Sequence, residues 1–94
     1  MTIALIYHRV ADYDIWKREY DRIAKGPLAS DVRAYRIWRG EDDPNLVVVA
    51  ETFDSREVAD AVFSHPELAD EIASAGVEME SMQIHFLDEV ASGP

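Results

Sequence analysis

The sequence predicts an α+β domain in which strands and helices follow one another as β-α-β-β-α-β. Two observations carry this prediction. Four segments of strand length are rich in apolar and β-branched residues, whereas two segments between them place apolar residues three or four apart, as on one face of a helix. The 94 residues are expected to form one domain, residues 1–94, because a second hydrophobic core would not fit in this length.

The composition and the charge of the chain argue against several classes of function. The formal net charge of -10 opposes binding to nucleic acid and to anionic membranes, because both attract basic surfaces. No apolar run reaches the roughly 20 residues of a membrane span, and the first residues lack the basic start of a signal peptide. The chain contains no cysteine, which excludes disulfides and thiolate nucleophiles. We expect a cytoplasmic protein.

The first strand and the first helix form the unit around which we expect a site. One alternating set of side chains in the strand, residues 3–10, includes His8. We assign this set to the face beneath the helices because it is the smaller and more apolar of the two. A helix over residues 12–25 follows, with Asp12 as its predicted N-cap, and the Gly-Pro pair at 26–27 terminates it.

The remaining elements complete the predicted sheet. A second strand, residues 31–39, and a third strand, residues 46–53, are joined by a loop dense in turn-forming residues. The third strand is the most apolar, which places it in the centre of the sheet.

A second helix begins with a sequence that resembles a capping box at 54–57. It restarts near Pro66, with Ser64 as a predicted cap, and ends at Gly76. The fourth strand is predicted over residues 81–90.

This order predicts the ferredoxin-like arrangement, a four-stranded antiparallel sheet with both helices on one face. The other face then carries no helix. It would hold Tyr7 together with one of two apolar sets from the third strand, which are Val47, Val49 and Phe53 or Leu46, Val48 and Ala50. Because so apolar a surface is unfavourable in water, we predict a homodimer in which two sheets pack face to face.

Four stretches of the chain also carry a resemblance to known proteins. They are HRVADYDIWKREYD at 8–21, DDPNLVVVAETFDS at 42–55, SHPELADEIASAGVE at 64–78 and FLDEV at 86–90. Together they resemble the dimeric α/β-barrel superfamily, and within it the antibiotic biosynthesis monooxygenase-like group. The resemblance implies a dimeric α/β barrel. The superfamily includes oxygenases, haem-degrading enzymes, isomerases and decarboxylases.

The resemblance also bears on cofactors. In the haem-degrading members, an asparagine of the first strand faces the pocket, and His8 occupies what looks like that position. Their helix-2 aromatic residue falls near Val62 and their haem-ligating histidine near Ile72, and neither residue type is kept. We therefore expect no haem and no other cofactor. The cofactor-independent anthrone oxygenases are similar to this chain in architecture.

His8 is the predicted catalytic residue, because a titratable group in an apolar cleft would take a proton from a phenol or enol. Tyr13, Trp16 and Tyr20 share one helical face and, with Phe63, would form flat walls for an aromatic ligand. The alternatives are a buried structural histidine and ordinary packing of the helix on the sheet.

Two residues of the second strand are further candidates for substrate binding. Trp38 would line the pocket or lie in the dimer interface. Arg36 would bind a carboxylate or phenolate, or pair with an acidic residue such as Glu51 at the dimer edge. The histidines at 8, 65 and 85 lack the close spacing of metal ligands, so we predict no metal site.

Two functional hypotheses follow from the sequence. The first is a small homodimeric, cofactor-independent enzyme that acts on a hydrophobic, aromatic or polyketide-like metabolite in a pocket between the first helix and the sheet. Its reaction would be a monooxygenation or a proton-transfer cyclisation or isomerisation. The second is a non-catalytic dimeric module that binds a small ligand or only assembles.

Overall fold

The computed structural model describes all 94 residues and contains four strands and three α-helices. The elements are β1 (Thr2–Val10), α1 (Tyr13–Ala24), β2 (Ala34–Arg39), β3 (Leu46–Phe53), α2 (Arg56–Phe63), α3 (Pro66–Ser74) and β4 (Val77–Leu87). The strands form one antiparallel sheet in the order β2-β3-β1-β4. The predicted ferredoxin-like α+β arrangement is confirmed, with the second helix divided into two.

The helix ends follow the local sequence closely. The Asp12 side chain accepts a hydrogen bond from the backbone N–H of Ile15, as its prediction as an N-cap requires, and Ser55 caps α2 in the same way. The prediction that Ser64 caps the restarted helix is wrong. Ser64 closes the end of α2, and the imidazole of His65 accepts from the N–H that begins α3. Gly76 ends α3 with a φ of 84°, which favours glycine.

Two strands differ in extent from their predictions. β2 begins at Ala34 rather than at residue 31, because a 3₁₀ turn over Pro27–Ala29 extends into this segment through a hydrogen bond from the Val32 N–H to the Ala29 carbonyl. β4 begins directly after Gly76 rather than at residue 81. It then follows β1 with one irregularity in register and ends where its pairing with β1 ends.

The core lies between the helices and one face of the sheet, here called the inner face. Its largest enclosed side chains are Phe53, Val47 and Val49, all from β3. Trp16 of α1 and Ala59 of α2 pack against this face. The apolar third strand therefore occupies the sheet interior, as predicted, because both its neighbours β1 and β2 pair with it.

The opposite face of the sheet, here called the outer face, carries no helix. Cross-strand partners share a face, and Tyr7 pairs with Val48, which pairs with Trp38. The outer set from β3 is therefore Leu46, Val48 and Ala50, and the alternative set belongs to the core. Tyr7 and Trp38 are 41% and 48% exposed. No helix of the structure is both long and apolar enough to cross a membrane.

We expect Val49→Ala to lower the free energy of unfolding by about 2 kcal/mol, because it deletes methyl groups from a closely packed site. Urea denaturation followed by circular dichroism measures this change. Val90→Ala is the matched control, since Val90 is 95% exposed, and it should leave the free energy of unfolding nearly unchanged. Equal losses in the two variants would contradict the placement of Val49 in the core.

Candidate functional site

A cavity of about 70 Å³ lies between the inner face of the sheet and the helices. We call it the inner cavity. Ile6 and Val49 come from the sheet, while Trp16, Tyr20 and Phe63 come from the helices. Of the 18 lining residues, 16 are hydrophobic, and the other two are His8 and Glu51. The cavity therefore combines an apolar wall with one imidazole and one carboxyl group.

The imidazole of His8 is held in a defined orientation. Its Nδ1 lies 3.1 Å from the backbone carbonyl oxygen of Val47, the residue that faces it across β1 and β3. A carbonyl only accepts, so Nδ1 carries the proton and donates, and the neutral ring has its lone pair on Nε2. No fully enclosed side-chain nitrogen or oxygen lacks a partner in this protein. The unpaired Nε2 is therefore accessible, and His8 lines the inner cavity.

Burial favours the neutral form of this imidazole. Removal from water disfavours the charged ring and lowers the pKa of His8 below its ordinary value of 6.5, although hydrogen bonds to backbone carbonyl groups partly offset this effect. A neutral imidazole with a free Nε2 accepts a proton from a bound molecule. His8 thus has the tautomer in which an imidazole can accept a proton through Nε2.

A row of aromatic rings forms one wall of the site. Trp16 stands between Tyr13 and Tyr20, with ring centroids 5.9 and 5.2 Å apart, and Tyr20 contacts Tyr35 of β2 at 5.3 Å. The edge of the His8 ring meets Trp16 at 5.4 Å and 77°. These distances are typical of favourable aromatic pairs. Each ring of the row thus packs against at least one neighbouring ring.

Glu51 is the site residue that sequence reasoning missed. It lies on the inner face of β3, opposite Ala4 of β1, and accepts a hydrogen bond of 2.6 Å from the Tyr20 hydroxyl. Burial raises the pKa of the Glu51 carboxyl, and burial beside this carboxylate raises the pKa of Tyr20. A signal was present in the sequence: an acidic residue alternates with Val47, Val49 and Phe53 in an otherwise apolar strand.

A second space, here called the outer cleft, adjoins the inner cavity and measures about 350 Å³. The two spaces share five wall residues, which are Tyr20, Ile23, Ala29, Val32 and Glu51. The inner cavity alone has room for a small group, whereas ligand pockets usually measure about 300–1,000 Å³. The outer cleft reaches this size. The hydrogen bond between Tyr20 and Glu51 lies in the wall that the two spaces share.

The structure brings together some of the predicted site residues and separates others. His8, Trp16, Tyr20 and Phe63 all line the inner cavity. Tyr13 does not line it; its ring packs on Trp16 and lies 3.7 Å below the guanidinium of Arg39.

Trp38 and Arg36 lie on the outer face of the sheet, because they pair with Val48 and Ala50. The alternation within β2 therefore directs both side chains away from the inner cavity and onto the face for which the dimer interface is predicted. Glu51 forms no ion pair with arginine; its partner is Tyr20.

The other two histidines lie away from the inner cavity. His65 caps α3, and His85 pairs with Leu5 and so lies on the outer face. The structure brings no three histidine or acidic side chains together in an arrangement that would hold a metal ion.

Comparisons with known proteins support the fold. No protein-family model matches the chain, and no curated protein matches it either. Among solved structures, SnoaB, a cofactor-independent oxygenase from Streptomyces nogalater, is similar to this chain with a TM-score of 0.75 and 12% identity, over 99% of this chain and 95% of that one.

Two further solved structures are also similar to this chain. An antibiotic biosynthesis monooxygenase is similar with a TM-score of 0.68 and 14% identity, covering 97% of this chain and 100% of that one. Protein Rv0793 from Mycobacterium tuberculosis has a TM-score of 0.68 and 16% identity, covering both chains fully. The predicted resemblance is confirmed at the level of the fold: the chain has the antibiotic biosynthesis monooxygenase-like fold.

The lowered pKa of His8 leads to a prediction about stability. We expect a fall in pH from about 7.5 to about 5.5 to reduce the free energy of unfolding more in the native protein than in His8→Asn. The unfolded chain regains the ordinary pKa of 6.5, so below that pH it binds a proton that folded His8 takes up only at lower pH. Stability due to this group is therefore lost as the pH falls.

Denaturation in urea at several pH values measures the difference. The other titratable groups are common to both proteins, so their contributions cancel in the comparison. The same pH dependence in both proteins would contradict the lowered pKa.

Proposed function

We propose that this chain is a small cofactor-independent enzyme that removes a proton from a hydrophobic, ring-bearing metabolite. One observation carries the proposal: the neutral imidazole of His8, whose Nε2 has no hydrogen-bond partner, lines a cavity whose other walls are almost entirely apolar. General bases in enzymes have this combination of burial, fixed tautomer and access. The cofactor-independent oxygenase activity of SnoaB, a protein of the same fold, adds support.

The dimensions of the two spaces indicate how such a metabolite would bind. We propose that one ring enters the inner cavity beside Trp16, and that the rest of the molecule lies in the outer cleft. Tyr20 stands in the wall between the two spaces, so it would contact a fused ring system that occupies both. Flat aromatic walls favour an aromatic or polyketide-like ligand because they bury both of its faces.

The chemistry then follows from deprotonation. His8 Nε2 takes a proton from a phenol, an enol or a carbon next to a carbonyl group, and the Val47 carbonyl stabilises the imidazolium that forms. The apolar walls exclude water from the resulting anion.

In the oxygenase version, the carbanion adds to dioxygen to give a peroxide, which loses water and leaves a carbonyl group. A CH₂ group and O₂ thus become C=O and H₂O, and the substrate supplies the electrons. In the cyclase or isomerase version, the carbanion attacks or rearranges within the same molecule.

The small volume of the inner cavity favours a second candidate, a non-catalytic dimeric module in which Trp16 and Tyr20 only pack the core. Titration with polycyclic phenols, followed by tryptophan fluorescence, separates the two candidates. Saturable quenching would support a binding site, and no quenching by any of the phenols would support the module. A cytoplasmic location remains part of either proposal.

We expect His8→Asn to slow the oxidation of anthrone in air, used here as a probe carbon acid, by about 10²–10⁴-fold. The asparagine amide keeps a donor for the Val47 carbonyl and removes the base. Absorbance of the anthraquinone product measures the rate.

His65→Asn is the matched control for this experiment. It replaces the cap of α3 by another capping residue, outside the cavity, and should leave the rate unchanged. An unchanged rate in His8→Asn would remove His8 from the mechanism.

We also propose that the protein is a homodimer joined through the outer faces of two sheets. Tyr7, Val48 and Trp38 lie side by side on this face, and an exposed apolar surface of this kind marks an interaction site. Arg36 and His85, on the same face, would then lie at or near the interface rather than at a substrate.

Val48→Asp is expected to convert the dimer to monomers, because it would bury an unpaired carboxylate in the interface. Analytical ultracentrifugation should give twice the chain mass of 10.6 kDa for the native protein and the chain mass for the variant. Val90→Asp, in the exposed C-terminal tail, is the control and should remain dimeric. A monomeric native protein would contradict the proposal.

A further inference from the structure

The position of Glu51 distinguishes it from the other acidic residues of this chain. It lies on the inner face of the sheet and lines both the inner cavity and the outer cleft. His8 lies four positions along β1 from Ala4, which faces Glu51, so the backbone positions of His8 and Glu51 are about 13 Å apart along the strand direction. The two side chains would therefore contact different parts of one ligand.

One oxygen of the Glu51 carboxyl remains free. Oε2 accepts the hydrogen bond from Tyr20, and Oε1 has no partner. Since no fully enclosed side-chain oxygen lacks a partner, Oε1 is accessible, and Glu51 lines both spaces. A carboxylate oxygen only accepts hydrogen bonds. At this end of the site, Glu51 thus offers a ligand a hydrogen-bond acceptor and no donor.

No cation balances this carboxyl group. Glu51 takes part in none of the salt bridges of the protein, and Arg33, which also lines the outer cleft, is held by Asp54 at 2.8 Å. The nearest polar neighbour is the neutral Tyr20 hydroxyl. An anionic ligand group placed here would meet a like charge in surroundings of low dielectric constant, where repulsion is strong. A hydroxyl donor would instead form a charge-assisted hydrogen bond.

We infer that Glu51 is the specificity-determining residue of this site, and that it selects apolar ring compounds that carry a hydroxyl group over those that carry a carboxylate. The ligand hydroxyl donates to Oε1 while Tyr20 continues to donate to Oε2. This inference rests on the proposed function, because it takes the two spaces as the binding site. It adds the class of substrate: a neutral phenol or enol with its hydroxyl at the Glu51 end.

Three probes of the same ring system test the inference: 2-naphthol, which donates a hydrogen bond; 2-fluoronaphthalene, which does not; and 2-naphthoate, which is anionic. Binding is measured at pH 8 from the indole N–H signals in ¹⁵N–¹H spectra of the labelled protein. Trp16 lies in the wall of the site, whereas Trp38 lies on the outer face. Trp38 therefore serves as an internal control.

We expect the native protein to bind 2-naphthol about tenfold more tightly than 2-fluoronaphthalene, which is the usual effect of one good hydrogen bond to a charged acceptor. It should bind 2-naphthoate no more tightly than 2-fluoronaphthalene. In Glu51→Gln, one amide oxygen can still accept from Tyr20, but the free position becomes an NH₂ donor. The advantage of 2-naphthol should disappear in this variant, and binding of 2-naphthoate should tighten.

Tyr20→Phe is the control, because it removes the internal hydrogen bond from Tyr20 to Glu51 and keeps the carboxylate. It should retain the preference for 2-naphthol; loss of that preference would overturn the inference, since the internal bond would then be the cause. If the native protein alone binds 2-naphthol and 2-fluoronaphthalene with equal affinity, the inference about Glu51 is overturned.

A different experimental result would contradict the proposed function. If none of the three probes shifts the Trp16 signal, the apolar site itself is contradicted and the inference with it. If the probes bind but Glu51 does not determine which of them binds more tightly, the inference about Glu51 is contradicted and the proposed binding site is not.

Discussion

The pairing of β1 with β3 is the constraint on which the rest of this structure depends. Its register sets His8 opposite Val47 and Ala4 opposite Glu51, so both titratable groups face the same layer of helices. The Val47 carbonyl then fixes the tautomer of the imidazole. A shift of one residue in either strand would turn every inner side chain to the outer face. The same hydrogen-bonded ladder thus holds the core together and builds the site.

Burying a titratable group lowers the free energy of unfolding. In this fold, local hydrogen bonds limit that loss. His8 remains neutral and donates to a carbonyl, while Glu51 accepts from Tyr20. Each side chain nevertheless retains one unpaired atom, Nε2 or Oε1, that faces accessible space. An apolar residue at either position would pack without such a cost. Polar atoms left free beside a cavity are typical of sites that bind or react, because a bound molecule completes their hydrogen bonds.

The two faces of the sheet are both apolar but have different roles. The inner face packs against Trp16 and Phe63 and encloses the cavity, whereas the outer face presents Tyr7 and Trp38 to a partner or to solvent. A small domain has little core to lose. We propose that dimerisation compensates for the space left open beside His8, since burial of the outer faces would stabilise the fold without filling the cavity.

The sequence by itself determined the elements, their order and the inward direction of His8, because alternation in strands and the spacing of three or four in helices are local properties of the chain. It also indicated an apolar outer face. Only the tertiary structure decided that Trp38 and Arg36 lie on that outer face, and that Glu51 meets Tyr20 rather than an arginine. Tyr20 and Glu51 are separated by 31 residues. Their contact depends on strand register and on how α1 crosses the sheet, and both result from the packing of the whole core rather than from any single segment.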